Sequence, residues 1–238
     1  AYTVITLQTA YLKAHYPAEY MVALLSVERG NLEKVAVLVA ECRRLGIDVR
    51  PPDINYSDVD HRLEPAAATS PTERDRLLNV EDLAIRYGLG GIKNVGDGPA
   101  QAIVEARGDE PFKDLDDLVR RVDLRLINKR VLECLIRAGA LDTLGERAAL
   151  LACVDQMIAE SQQLHRAQEI GQRSLFDLSP GVMGEAGGAA LAVPKDVPRL
   201  PDKVRLADER ELLGVYMSTN PLDVLTRFPF AHDDVRLR

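Results

Sequence analysis

Ile92-Lys93-Asn94-Val95-Gly96-Asp97-Gly98-Pro99-Ala100, with Ile103 beyond it, is the stretch on which the reading of this chain turns. Glycines stand at 88, 90, 91, 96 and 98. A phosphate-cradling P-loop requires Lys and Ser or Thr after its second glycine, and here Asp97 follows Gly96. A dinucleotide fingerprint requires a βαβ unit, and the flanking pattern is helical. What remains is apolar, two residues, apolar, Gly, any residue, Gly, and then a helix opened by Pro99 and ending near Gly108. Glycines let a backbone turn sharply and let another molecule approach closely. The free N–H groups at the start of the following helix, with its dipole behind them, suit a phosphate.

That shape is a helix-hairpin-helix motif, which grips a nucleic-acid backbone without reading bases. It predicts Lys93, Asn94, Val95, Gly96 and Gly98 as DNA-contacting positions. The alternative is a structural turn between packed helices. Asp97 sets a carboxylate where it would repel phosphate, unless it serves to cap the helix. A second hairpin follows: a helix bearing Phe112, Leu115, Leu118, Val119 and Val122 on one face, a loop at Asp123–Arg125, and a helix from about Asn128 to Ala138 stopped by Gly139. Between 120 and 137 lie six basic residues (Arg120, Arg121, Arg125, Lys129, Arg130, Arg137) and two acidic (Asp123, Glu133). Over 84–147 the counts are eleven each, so this is a local basic patch on a neutral module. Arg125, Asn128, Lys129 and Arg130 are its candidate DNA contacts; a solvated helix face is the alternative.

Upstream, helical periodicity predicts Tyr2–His15, Pro17–Arg29 and a helix capped by Asn31 with Leu32, Val35, Leu38, Val39, Cys42 and Leu45 on one face and Gly46 at its end. Ile47–Val49 alternates like a strand, and Leu83–Tyr87 reads as a second one. Residues 57–80 read as a loop or insertion. Downstream, one long helix is expected over Glu146–Glu169, a linker over 179–201 with four glycines and four prolines, and a last helix around Glu209–Tyr216. The fold class expected is mainly α: a helical portion with a small β element, then a tandem helix-hairpin-helix module and a linker.

Composition narrows the function. The chain has 238 residues, 46% of them hydrophobic, and a net charge of −7. Its longest apolar run, the seven residues Ala148–Val154, is far short of the ~20 residues that span a bilayer, as is Val35–Ala40. Cys42, Cys134 and Cys153 are odd in number and never spaced as CxxC, and His15, His61, His165 and His232 are scattered. Neither a disulfide framework nor a metal site is expected, and a reducing cytoplasm is. Asp114, Asp116 and Asp117 read as dipole-favoured acids at a helix start rather than a two-metal site. No catalytic constellation stands out. Gln172-Arg173-Ser174-Leu175-Phe176 differs in kind: an apolar pair and an upstream amide, placed between a polar helix and a linker, read as a docking peptide. The chain opens at Ala1 inside a helical pattern and reads as a piece of a longer protein.

Several stretches, in order along the chain, resemble the C-family of bacterial replicative polymerases, the polymerase III alpha subunits. They are Gln8–Tyr20 (QTAYLKAHYPAEY), Glu41–Ile47 (ECRRLGI) with Pro51–Asn55 (PPDIN), Tyr87–Gly96 (YGLGGIKNVG), Asn128–Ala140 (NKRVLECLIRAGA) and Glu211–Tyr216 (ELLGVY). The resemblance implies a layout. Residues 1–83 become the C-terminal part of a fingers domain, 84–145 a tandem helix-hairpin-helix DNA-binding module, and 146–178 a helix ending in a clamp-binding peptide. Residues 179–201 become a flexible linker, and 202–238 lead toward an OB-fold that the chain does not include. Gln172, Ser174, Leu175 and Phe176 match the family's usual Gln-Leu-Ser/Asp-Leu-Phe clamp peptide and Arg173 departs from it. The implied function is part of template-directed DNA synthesis by a nucleotidyltransferase. Its catalytic palm, with the Mg2+ it binds, lies upstream, so no catalytic residue, cofactor or metal is expected here. Partners implied are double-stranded DNA without sequence preference, the sliding clamp and other subunits of the replicative holoenzyme, with no membrane. Tyr11, Lys13 and His15 are candidate nucleotide or template contacts. The other reading is a stand-alone, non-catalytic helix-hairpin-helix adaptor.

Overall fold

The computed structural model describes residues 2–66, 83–169, 191, 193, 194 and 196–218. Three helices open it. Helix α1 (Tyr2–His15) buries none of its residues. Helix α2 (Pro17–Glu28) uses Pro17 as its first residue, where the missing N–H costs nothing, and buries Ala18, Met21 and Leu25. Asn31 caps α3 (Leu32–Arg44) by accepting from the Lys34 N–H at 3.2 Å. Val35, Val39 and Cys42, on successive turns, face the core, and Gly46 ends the helix at φ 76°.

The chain then forms a three-stranded sheet from β1 (Asp48–Arg50), β2 (Arg62–Pro65) and β3 (Leu83–Arg86) in the order β1-β3-β2. β3 runs parallel to β1 and antiparallel to β2, with Arg86 opposite both Arg50 and Arg62. β2 corrects the expectation of a plain loop over 57–80. Its four residues carry no apolar alternation, because the one that turns inward is Glu64. That carboxylate accepts from Arg50 Nη1 at 2.6 Å and from Arg86 Nη2 at 2.7 Å, so charge sets the register.

After a single 3-10 turn at Leu89–Gly91 come α4 (Asp97–Arg107), α5 (Leu115–Arg121) and α6 (Lys129–Arg137). The first hairpin thus has a 3-10 turn where a first α-helix was expected, and α4 begins two residues before Pro99. The long helix expected over 146–169 is two helices, α7 (Arg147–Ala152) and α8 (Val154–Glu169), broken at Cys153, whose φ of −104° and ψ of 7° leave the helical range. The last helix, α9 (Asp202–Leu213), starts earlier than Glu209 and stops before Tyr216, at Gly214 in the left-handed region. Its pattern was obscured because its buried face includes Asp208 and Glu209.

One core of buried apolar side chains runs from Ala18 to Val215. The boundary drawn at residue 83 passes through β3, and polar bonds cross it. Ile54 N–H donates to Ala140 O at 2.7 Å, and buried Arg107 donates to the carbonyls of Ile54 and Ser57. Asn55 pairs reciprocally with the backbone of Phe112, donating at 3.0 Å and accepting at 2.7 Å. The end of the segment read as linker is docked too: Leu191 is buried, and its N–H donates to Asp116. Helix α9 is tied in through Glu209, which is fully buried against Arg147 and also accepts from the N–H groups of Met217 and Ser218. Cys42, Cys134 and Cys153 are free and buried, and burial pushes the Cys42 thiol up to about 12. No helix among the described residues is long and apolar enough to cross a membrane.

Candidate nucleic-acid interface

The two hairpin turns share one construction. In the first, Ile92 and Val95 point inward, Val95 N–H donates to Ile92 O, and Ala100 N–H donates to Gly96 O as α4 starts. In the second, Leu124 and Ile127 point inward, Ile127 N–H donates to Leu124 O, and Leu132 N–H donates to Asn128 O as α6 starts. Ile92, Val95, Gly96 and Asp97 therefore correspond in turn to Leu124, Ile127, Asn128 and Lys129. Burial of two apolar residues anchors each turn and leaves the residues between and after them to solvent.

The first turn uses two left-handed residues, Asn94 at φ 70° and Gly96 at φ 71°. Asparagine tolerates that region and glycine occupies it without strain. A Cβ at Gly96 or Gly98 would meet nothing within 4 Å, so the space before the turn is open. Lys93, Asn94, Gly96 and Gly98 are exposed, and the N–H groups of Asp97 and Gly98 precede the first bond of α4. Val95 is different. Its side chain is buried and its N–H is used within the turn, so it shapes the loop.

In the second turn Asn128 caps α6 by accepting from the Val131 N–H at 2.9 Å, which leaves that side chain a positioning role. Arg125 is exposed but bidentate to Asp123, whose carboxyl it holds below the usual range. Lys129 donates to Asp155 of α8 at 2.6 Å, which raises the lysine. Arg137 is committed to Asp208 and Glu211 of α9, Asp208 first, and is raised by them. Arg121 staples the hairpins, donating to the carbonyls of Ala106, Arg107 and Glu110 beneath the ring of Phe112. Of the six basic residues counted over 120–137, Arg120 and Arg130 alone have no ion pair or hydrogen bond among the described residues. The net charge of that window was misleading because its neutralising acids, Asp155, Asp208 and Glu211, lie outside it.

Asn94, Lys129, Arg130 and Arg137, with Glu133, Cys134 and Glu211, line one open groove of ≈ 460 Å³. The fold thus brings the tip of the first hairpin beside the start of the second helix. A neighbouring groove of ≈ 420 Å³ runs along the other side of the first turn, lined by Arg29, Leu32, Lys93, Asn94 and Gly96 among others. Arg125, Asn128 and Gly98 line neither. Tyr11, Lys13 and His15 sit apart on α1: the Tyr11 and His15 rings meet at a tilt of 39° with centroids 4.3 Å apart, and Lys13 pairs with Glu41 at 2.7 Å. Asp114 caps α5 by accepting from Asp117 N–H, and Asp117 accepts from Lys113 N–H. Gln172, Ser174, Leu175 and Phe176 lie outside the described residues. Arg29 was passed over in the sequence and Arg121 was read only as one charge of the basic patch, because what organises them are partners distant along the chain.

Paired turns of this kind, each opening a helix toward solvent, define a helix-hairpin-helix module. A family model described as the helix-hairpin-helix motif matches residues 46–150. Over 94% of its length the chain is similar to DNA polymerase III subunit alpha of Vibrio cholerae, at 45% identity across 226 residues. It is likewise 38% identical to the Escherichia coli K12 subunit across 225 residues and 38% identical to that of Pseudomonas aeruginosa across 240. The chain spans only 18–19% of the length of these relatives.

Proposed function

We propose that this chain is the part of a DNA polymerase III alpha-type subunit that holds duplex DNA by its backbone and carries a peptide for the sliding clamp. The observation that supports it best is the shared groove, in which Asn94 of the first hairpin faces the Lys129 and Arg130 of the second. Phosphates spaced along one strand would meet the α4 N–H groups and Lys93 at one turn and Arg130 at the other. Lys129 would exchange Asp155 for phosphate. No base edge is needed, so binding is indifferent to sequence. With a net charge of −7 the affinity is weak, which suits a module that acts alongside others. In this reading residues 1–83 belong to a fingers domain whose Tyr11 and neighbours reach toward nucleotide or template. Gln172–Phe176 meets the clamp, and the other holoenzyme subunits and the cytoplasm are its setting. Nucleotidyl transfer and its Mg2+ belong to the remainder of the subunit.

The test is titration of labelled duplexes of unrelated sequence with the full chain at two salt concentrations. Affinity falls with salt and is equal across sequences, and Lys129→Glu with Arg130→Glu weakens all of them alike. Undiminished binding by that folded variant would make the basic hairpin a solvated face.

A further inference from the structure

The two hairpins are built alike but charged oppositely at one position. The first residue of α6 is Lys129, and the equivalent first residue of α4 is Asp97. A carboxylate there stands at the mouth of the N–H groups that a phosphate would use. The structure supplies a cation from elsewhere. Arg29, at the C-terminal end of α2, donates through Nη1 to Asp60 and through Nη2 to Asp97 Oδ2 at 2.7 Å. It also lines the groove beside Lys93, Asn94 and Gly96. The contact is packed beneath Gly90, where a Cβ would lie 3.2 Å from both Arg29 Nη1 and Asp97 Oδ1 and 3.0 Å from Val59 O.

We infer that Arg29 is the charge-compensating positioning residue of the first hairpin, holding Asp97 aside and neutralising it so that α4 can face a phosphate. The inference rests on the hairpins being backbone grips. Asp60, Asp97 and Arg29 together carry −1, and Lys93 balances it. Removing Arg29 leaves −2 beside the turn, removing the Asp97 charge leaves 0, and removing both restores −1. A merely mechanical latch makes the opposite forecast, since breaking it from either end would loosen the turn.

The experiment is duplex titration of the full chain at low salt for the parent, Lys93→Glu, Arg29→Ala, Asp97→Asn and the Arg29→Ala/Asp97→Asn double variant, with thermal unfolding alongside. Arg29→Ala weakens binding roughly fivefold, the effect of one unit charge a few ångströms away in a water-like medium. Asp97→Asn tightens binding, and the double variant returns to the parent value although the ion pair is gone. If the parent does not bind, or Lys93→Glu changes nothing, the phosphate reading of this hairpin falls and the inference falls with it. If Lys93→Glu weakens binding but Asp97→Asn also weakens it, or the double variant stays at the Arg29→Ala level, the hairpin reading stands and the role of Arg29 is overturned.

Discussion

His61 is a base kept from protons by its surroundings. It is buried edge-on to Tyr87 with ring centroids 4.5 Å apart, and neither ring nitrogen has a hydrogen-bond partner among the described residues. Burial first, and the Arg29 charge second, push its pKa down to about 4 from 6.5. As pH falls below 6.5 the unfolded chain takes up a proton that the folded one refuses until about 4. Stability present at neutral pH is therefore lost across that window, by at most roughly 3 kcal/mol. Urea unfolding of the parent and of His61→Leu at pH 7, 6 and 5 checks it: the parent loses more stability than the variant at each step, and parallel losses would contradict it. At this scale the sequence was informative where a residue acts locally. Asn31 and Asn128 were recognised as helix starts because a cap is written within four residues. Arg121, Arg137 and Glu64 were not, because a charge looks the same in sequence whether water or a carbonyl distant in the chain receives it.

Among elements, the hairpins depend on how their helices begin. Asn128 holds α6 by its side chain, whereas Gly96 opens α4 with no side-chain cap. Asn128→Ala should cost about 1 kcal/mol of stability, the usual loss for an N-cap. It should also weaken duplex binding, since Lys129 and Arg130 follow directly on the cap. Denaturant unfolding read beside duplex titration checks both, and an unchanged midpoint would show that packing alone fixes the helix start. Elements with strong apolar periodicity and glycine stops, α3 and α6, were legible nearly to the residue. Those that bury charge were not: β2 turns Glu64 inward, and α9 buries Asp208 and Glu209, so the apolar pattern that marks an inner face is missing from both. The tandem of hairpins was legible because Ile92 and Val95, then Leu124 and Ile127, repeat one spacing. The single 3-10 turn ahead of the first was not, since its three residues, Leu89 to Gly91, carry no helical period.

For the whole molecule, the hairpins, the sheet and α9 share one core, so the paired hairpins and the helices before them form one packed body. A clamp peptide beyond α8 would add a second, separable attachment. On the proposed reading Gln172–Phe176 is a short peptide whose affinity alone would be on the order of micromolar, with shared DNA raising the effective concentration. Leu175→Ala with Phe176→Ala removes both apolar anchors and should cost roughly 2–4 kcal/mol, about 30-fold or more. Titration of purified clamp with parent and double variant, using circular dichroism to confirm folding, measures it; equal affinity in two folded proteins would place the clamp contact elsewhere or abolish it. The general architecture was legible from periodicity and punctuation. That the tail from Asp202 closes the same core as the first hairpin was not, because it depends on Lys93 N–H meeting Leu212 O and Tyr87 OH meeting Leu213 O, contacts between segments far apart along the chain.

A protein holding two near-copies of one turn faces an error of seating during folding, since either copy has the shape to enter the other's place. The external partners of the two helix starts discriminate between them. In the native arrangement Asp97 meets Arg29 and Lys129 meets Asp155. With the hairpins exchanged, acid would meet acid and base would meet base. These two contacts therefore favour each turn in its native place over the exchanged one.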